Sequence, residues 1–221
     1  MTEPIPEEMS PLWDIYNDGF PDFLAELLEA EELQRLKKVG MHCGCEYSSF
    51  PLFRFSSPYT RWIHSVGAGL IVWHFTFDVK QSIAGLLHDI ATPVFAHVVD
   101  FMKGDHLKQE STEEYTRKLI EESEGIQKVL HKYGLSTEDV ADYHRYPIAD
   151  NDSPGLSADR LEYTLGNFYC REKKSPGEIR RIYRNLTTVL NEEGIPELAF
   201  TSSEEALTFT LGSLDNSRMF T

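Results

Sequence analysis

Cysteine is scarce in this chain of 221 residues. Cys43, Cys45 and Cys170 are too few and too uneven for a disulfide framework, so they read as reduced thiols. His42-Cys43-Gly44-Cys45 has no second ligand pair at knuckle spacing, which favours a tight turn under a loop over structural zinc. Basic residues are also short: 21 Lys and Arg stand against 36 Asp and Glu, a formal net charge of -15. A nucleic-acid duplex needs a basic face to neutralise its phosphates, so that class of partner is excluded. A small phosphorylated substrate, met by a few local cations, is not. No apolar run approaches the roughly 20 residues that span a bilayer. The N-terminal stretch, Met1 to Glu8, has neither the basic flank nor the apolar core of a signal peptide. The expectation is a cytoplasmic protein that makes no membrane contact. Strand-like alternation, internal repeats and low-complexity segments are missing as well.

What is present is helical periodicity. Apolar residues at Phe23, Leu24, Leu27, Leu28, Leu33 and Leu36 predict an amphipathic helix from Asp22 to about Val39, closed by Gly40. Residues 1–20 read as irregular, with Trp13, Ile15, Tyr16 and Phe20 docking onto the body. Residues 41–59 read as a long loop, a feature often functional in compact domains. Further helices are expected over about 60–75, 79–90, 95–102, 112–133, from Ser157 onward, over 176–190 and near 203–213. Gly67 and Gly69 inside the first of these cost helix stability, which points to another helix packed very close. The fold expected is all-α: one domain over residues 1–221, a helical bundle with its core at about 58–170. An irregular N-terminal segment (1–57) and C-terminal helices (171–221) pack on that core.

The chemistry centres on Ile83-Ala84-Gly85-Leu86-Leu87-His88-Asp89-Ile90-Ala91-Thr92-Pro93. An apolar helix runs into an adjacent imidazole and carboxylate. Burying that pair is costly unless something compensates, and a divalent cation takes a neutral imidazole nitrogen and an anionic oxygen together. Taken alone, the pair also reads as an ordinary helix end with a solvated aspartate. His64 taken alone is divided between core residue and ligand, and His74 reads as an ordinary histidine. His42, His106 and His131 read as solvated, and His144 carries no assignment. His97 has Asp100 three residues on, within reach on a helix, where a carboxylate fixes the imidazole tautomer and raises its basicity; a neutral pair at a helix surface is the plainer reading.

The order of these groups, His64, then His88-Asp89, then Asp159, resembles the H…HD…D signature of the HD-domain superfamily of metal-dependent phosphohydrolases. The contexts Arg61-Trp-Ile-His64-Ser65, Leu86-Leu87-His88-Asp89-Ile90 and Ala158-Asp159-Arg160-Leu161-Glu162-Tyr163 carry the resemblance, which covers roughly residues 60 to 167. It implies an HD-domain helical bundle in which His64, His88, Asp89 and Asp159 hold a divalent metal ion: manganese, iron, cobalt, nickel or magnesium. The nearest likeness is to the deoxynucleoside-triphosphate triphosphohydrolase branch, through Phe95-Ala96-His97-Val98-Val99-Asp100. That branch implies phosphate binding by Arg61 and Arg160, sugar contact by Tyr163, and His97 with Asp100 as the acid/base pair. Surface or ion-paired arginines and a core-packed tyrosine are the plainer readings of those three residues.

Two helper histidines of the branch are absent. Thr92 lies within Ala91-Thr92-Pro93-Val94, where the branch has Gly-His-Gly-Pro, and Gln109 precedes Glu110 where it has His-Glu. The function expected is a metal-dependent phosphohydrolase acting on a nucleotide or other small phosphate ester. A narrower alternative is a nucleoside triphosphate triphosphohydrolase, and one of another class is an HD-fold nucleotide sensor without turnover. A homo-oligomer is compatible with all of them.

Overall fold

The fold is assembled around α4 (Arg61–Thr76), whose residues from Arg61 to Val72 are all buried. Thr60 caps it, its side chain accepting from the Ile63 amide, one of the orphan donors of a helix start. The structure, a computed structural model, describes residues 10–53, 58–95, 98, 113–172 and 174–218. The helix expected over 95–102, with His97 and Asp100, and His106 beyond it, therefore lie outside the described residues, Phe95 and Val98 apart.

Phe77 and Asp78 join α4 to α5 (Val79–Leu87), and Asp78 caps α5 by accepting from the Lys80 and Gln81 amides. The two helices pack as a hairpin whose close approach depends on glycine. A Cβ on Gly69 would lie 3.3 Å from the Ser82 carbonyl oxygen, and one on Gly85 would lie 3.1 Å from Val72. The close helix neighbour expected from the glycines of α4 is thus α5 at Gly69. Ile83, Leu86 and Leu87 are fully buried in the hairpin, each worth about 1.5–3 kcal/mol of apolar burial.

Around this pair lie α1 (Ser10–Tyr16), α2 (Asp22–Leu27), α3 (Glu31–Arg35), α6 (Glu113–Glu122), α7 (Glu124–Lys132), α8 (Thr137–Val140), α9 (Ala158–Cys170), α10 (Pro176–Tyr183) and α11 (Ser203–Arg218). Helix α9 packs along α4, and α1 lies between α4 and α10, where the Tyr183 hydroxyl donates to the Tyr16 carbonyl at 2.9 Å. The fold is all-α in its body, as expected.

Several boundaries differ from the sequence reading. The N-terminal segment is helical at α1, α2 and α3, so it is irregular only in part. The helix expected over 22–39 breaks where Ala30 adopts an extended conformation, then ends in a 3-10 turn at Leu36–Lys38. The helix expected over 112–133 splits at Ser123, whose hydroxyl caps α7 and donates to Glu32. The helix expected over 176–190 stops at Tyr183. Beyond it, β1 (Leu186–Leu190) pairs antiparallel with β2 (Pro196–Phe200), Leu186 opposite Phe200 and Leu190 opposite Pro196. β-Branched Thr187, Thr188 and Val189 favour strand. The Asn191 side chain accepts from the Glu193 and Ile195 amides, and Gly194 takes φ 78°, which closes the hairpin. No helix among the described residues is long and apolar enough to cross a membrane.

Candidate metal centre

Three helices aim four side chains at one point. His64 sits one turn into α4, His88 and Asp89 close α5, and Asp159 lies in the first turn of α9. The Nε2 atoms of His64 and His88 face each other at 3.2 Å. Asp89 Oδ2 lies 3.8 Å from His64 Nε2 and 3.5 Å from His88 Nε2. Asp159 Oδ1 approaches to 3.0 Å and 3.8 Å of the same two nitrogens. Ligands around a cation at about 2.1 Å stand roughly 3.0–3.5 Å apart, so these spacings suit a divalent ion. His64, His88 and Asp89 form the tightest candidate group, and Asp159 closes on it from α9.

The far edges of both imidazoles are already committed. His88 Nδ1 lies 2.7 Å from the Gly85 carbonyl oxygen; a carbonyl only accepts, so Nδ1 carries the proton and neutral His88 presents a lone pair at Nε2. His64 Nδ1 donates to Glu162 Oε2 at 2.6 Å. Glu162 is fully buried on α9 and also accepts from Tyr59 at 2.6 Å and Tyr16 at 3.4 Å. This carboxylate–histidine arrangement fixes ring orientation and strengthens a ligand's basicity.

Charges inside the cluster are strongly coupled. Burial alone would lower the pKa of His64, but hydrogen bonds and charge from Asp159 and Glu162 raise it to about 10. Burial would raise Asp159, yet the hydrogen bond from His64 and the charge that the two imidazoles carry when protonated lower it to about 2. Asp89 is likewise opposed by burial, and Arg61 followed by His88 and His64 holds it well below the usual carboxylate range. Arg61 Nη1 donates to Asp89 Oδ2 at 2.7 Å. The other oxygen of Asp89 accepts from the Thr92 hydroxyl at 2.7 Å. Thr92, which the sequence reading noted only as a missing histidine, thus orients a candidate ligand. Arg35 of α3 secures the same turn by donating to the Ile90 and Thr92 carbonyls at 2.7 and 2.9 Å.

No protein-family model matches the chain. It is 35% identical over 147 residues to the uncharacterized protein YdhJ of Bacillus subtilis, covering 66% of this chain and 43% of that protein. It is 29% identical over 163 residues to the metal-dependent phosphohydrolase cns2 of Cordyceps militaris, covering 74% and 45% respectively. The uncharacterized protein MJ1154 of Methanocaldococcus jannaschii is 28% identical over 182 residues, 79% of this chain and 36% of that protein. The chain spans less than half the length of these curated relatives. One of its relatives is a metal-dependent phosphohydrolase by name.

The remaining expected site residues fall into three groups. Arg61 is in the cluster, 8% exposed, and its buried Nε has no partner among the described residues, so donor capacity remains there. Tyr163 is half-buried within electrostatic reach of Arg61 and Cys43, and burial raises its phenol pKa. Arg160 faces elsewhere: its guanidinium donates to the Gly155 and Asn151 carbonyls, the Asn151 side chain and Asp150. This is the plainer ion-paired reading of that residue, and a phosphate would have to compete with the 150–155 loop for it. His97 and Asp100 lie outside the described residues. His42, expected to be solvated, is 3% exposed, with Nε2 2.9 Å from Asn167 Oδ1.

Two residues of this neighbourhood escaped the sequence reading. Glu162 is one, and its signal was Gly67: a Cβ there would lie 2.6 Å from Glu162 Cγ. Gly67→Ala is therefore expected to push Glu162 off His64 and to destabilise the fold by about 1–3 kcal/mol, measurable by chemical denaturation. His144 is the other. Its Nδ1 lies 2.9 Å from Asp150 Oδ2, and its ring stacks 4.1 Å from that of Tyr143. On its other side Tyr143 meets His88 at 5.3 Å, so His144 stands one ring away from the cluster.

Proposed function

We propose that this chain is an HD-domain hydrolase in which His64, His88, Asp89 and Asp159 hold a divalent cation and a small phosphate ester, a nucleotide in the first instance, is cleaved. The convergence of two Nε2 atoms and two carboxylates, with both Nδ1 atoms committed to other partners, carries this reading. A relative named as a metal-dependent phosphohydrolase supports it. A mixed nitrogen and oxygen donor set suits manganese, iron, cobalt or nickel, with magnesium also accommodated.

When bound, such an ion acidifies a water and offsets charge on a phosphate oxygen. The chain's own groups do the rest. Arg61, anchored by Asp89 and with its Nε still free to donate, turns a guanidinium toward the phosphate. Tyr163, one helical turn beyond Asp159, offers an aromatic wall for a sugar. Glu162 and the Gly85 carbonyl hold the two imidazoles in register through reaction. His97 with Asp100 is the proton carrier in this reading. The His144–Asp150 pair offers the same chemistry one ring away from His88, so comparing His97→Gln with His144→Gln assigns the role: the variant with the larger fall in kcat at unchanged metal content marks the carrier.

A product-resolved screen tests the substrate class. Nucleoside mono-, di- and triphosphates, cyclic nucleotides and simple esters are offered with manganese, cobalt or magnesium. Inorganic triphosphate as product establishes the triphosphohydrolase alternative, and orthophosphate from monophosphates makes the chain a phosphatase. Nucleotide binding with no turnover under any metal replaces the hydrolase by the sensor.

A further inference from the structure

Helix α11 is built inside out. Its inner face carries Glu205, Phe209, Gly212 and Asn216, and of these only Phe209 is a large apolar side chain. Glu205 pairs with Arg181 at 2.8 Å, Asn216 accepts from Arg171, and Gly212 lies directly against the Phe168 ring of α9. The leucines point the other way. Leu207, Leu211 and Leu214 are 59%, 52% and 44% exposed. An amphipathic helix normally turns its apolar stripe to the core; here the core side is polar and small, and the stripe faces out.

The stripe has ends of opposite charge. Glu204 precedes Leu207 by three residues and Arg218 follows Leu214 by four, so positions 204, 207, 211, 214 and 218 run along one face at helical spacing. A parallel copy would set Glu204 against Glu204. An antiparallel copy, turned about a two-fold axis at Leu211, sets Leu211 against itself, Leu207 against Leu214 and Glu204 against Arg218 at both ends. The pattern along this face is complementary to itself, apolar against apolar in the middle and opposite charges at the ends, where Arg218 also lies 3.6 Å from Asp215 of its own helix. A cleft of about 620 Å³ between the 151–156 loop, the β-hairpin and α11 has Thr210 on its wall, and Ile195 at its hairpin edge is 41% exposed.

We propose that two copies of this chain pair through α11, antiparallel and centred on Leu211. Each copy carries a net charge of -15, so bulk repulsion opposes pairing and salt screens it, whereas exposed end pairs such as Glu204 with Arg218 contribute little. Association should therefore tighten as ionic strength rises, the reverse of a contact held by surface ion pairs.

Sedimentation equilibrium of the full chain over a concentration series, at low and high salt, tests the pairing. The expected result is a monomer–dimer equilibrium that shifts toward dimer with salt. Leu211→Lys, which sets two ammonium groups at the centre, should abolish it while circular dichroism and melting stay unchanged, because Leu211 is exposed. Leu207→Glu, which sets a carboxylate against Leu214 of the second copy, should likewise abolish the dimer, and this variant decides the matter if Leu211→Lys disturbs folding. A wild type that stays monomeric, or whose dimer survives both Leu211→Lys and Leu207→Glu, overturns the proposal, including the outcome in which a different protein covers the stripe.

Discussion

Asp89→Ala should abolish binding of divalent cations and lower hydrolysis by more than the roughly 10–100-fold that loss of a ligand's supporting hydrogen bond costs. Asp89 contributes one oxygen to the candidate centre, takes the Arg61 guanidinium at 2.7 Å and accepts from Thr92. Its removal leaves Arg61 buried with no carboxylate on Nη1, next to a protonated His64. Breaking a buried pair from one side costs about 3–5 kcal/mol, so the variant should also unfold earlier. Two readouts separate these effects. Asp89→Asn keeps the shape and the bond from Thr92, so it should fold better than the alanine variant yet remain as poor in metal binding and turnover. Metal content by elemental analysis, thermal melts and turnover of the three proteins check the ordering. An Asp89→Asn protein that binds metal and turns over like wild type would remove Asp89 from the site.

Glu162 carries the second large effect. Glu162→Leu strands three donors, His64 Nδ1, the Tyr59 hydroxyl and the Tyr16 hydroxyl, in a dry interior. Each unsatisfied group costs about 1–3 kcal/mol, and the chain should be close to unfolded at ordinary temperature. Glu162→Gln keeps an acceptor for His64 but removes the charge. Its expected result is a folded protein whose metal affinity is about 10–100-fold weaker. The His64 pKa also falls in that variant, because Glu162 is one of the two carboxylates that raise it to about 10. Calorimetric metal titration and NMR titration of the imidazole read both changes.

The same coupling fixes the sign of the pH dependence. His64 has a folded pKa of about 10 against an ordinary 6.5. Without metal, its contribution to stability is complete below about pH 6.5 and is lost as pH rises through 10. Asp159 is lowered from 3.8 to about 2, so its contribution is complete above pH 3.8 and is lost as pH falls through 2. The metal-free chain should therefore melt highest between these limits, on the mildly acidic side of neutrality. A cation needs the His64 lone pair and must displace its Nε2 proton, so affinity should rise about tenfold per pH unit across the neutral range. Added metal should raise the melting temperature more at pH 8 than at pH 6.

What the sequence revealed and what it hid have physical reasons. The apolar helix running into His88-Asp89 marked that pair, while His64 and Asp159 were singled out only by their order around it in the signature the chain resembles; the structure brings the four side chains together. Gly67 and Gly69 were readable as signs of close approach, but only Gly69 meets another helix backbone; Gly67 makes room for Glu162. Nothing in the local pattern of α9 marks Glu162, three residues after Asp159, as fully buried, since the donors to its carboxylate come from residues 98 to 146 positions away. The β-hairpin was hidden by ambiguity: Ile182, Leu186, Val189 and Leu190 fit a helical stripe, and only the turn at Asn191 to Gly194 resolves the period. Arg160 was placed by its position next to Asp159, yet successive helix residues point about 100° apart, and its side chain reaches the 150–155 loop.

The most direct measurement is a calorimetric titration of manganese into metal-stripped wild type and Asp89→Ala at two pH values, in buffers of different ionisation enthalpy. The expected result is stoichiometric binding by wild type with net proton release, tighter at the higher pH and absent in Asp89→Ala. Failure of wild type to bind manganese, cobalt or magnesium, or equal binding by Asp89→Ala, would contradict a metal centre at His64, His88, Asp89 and Asp159.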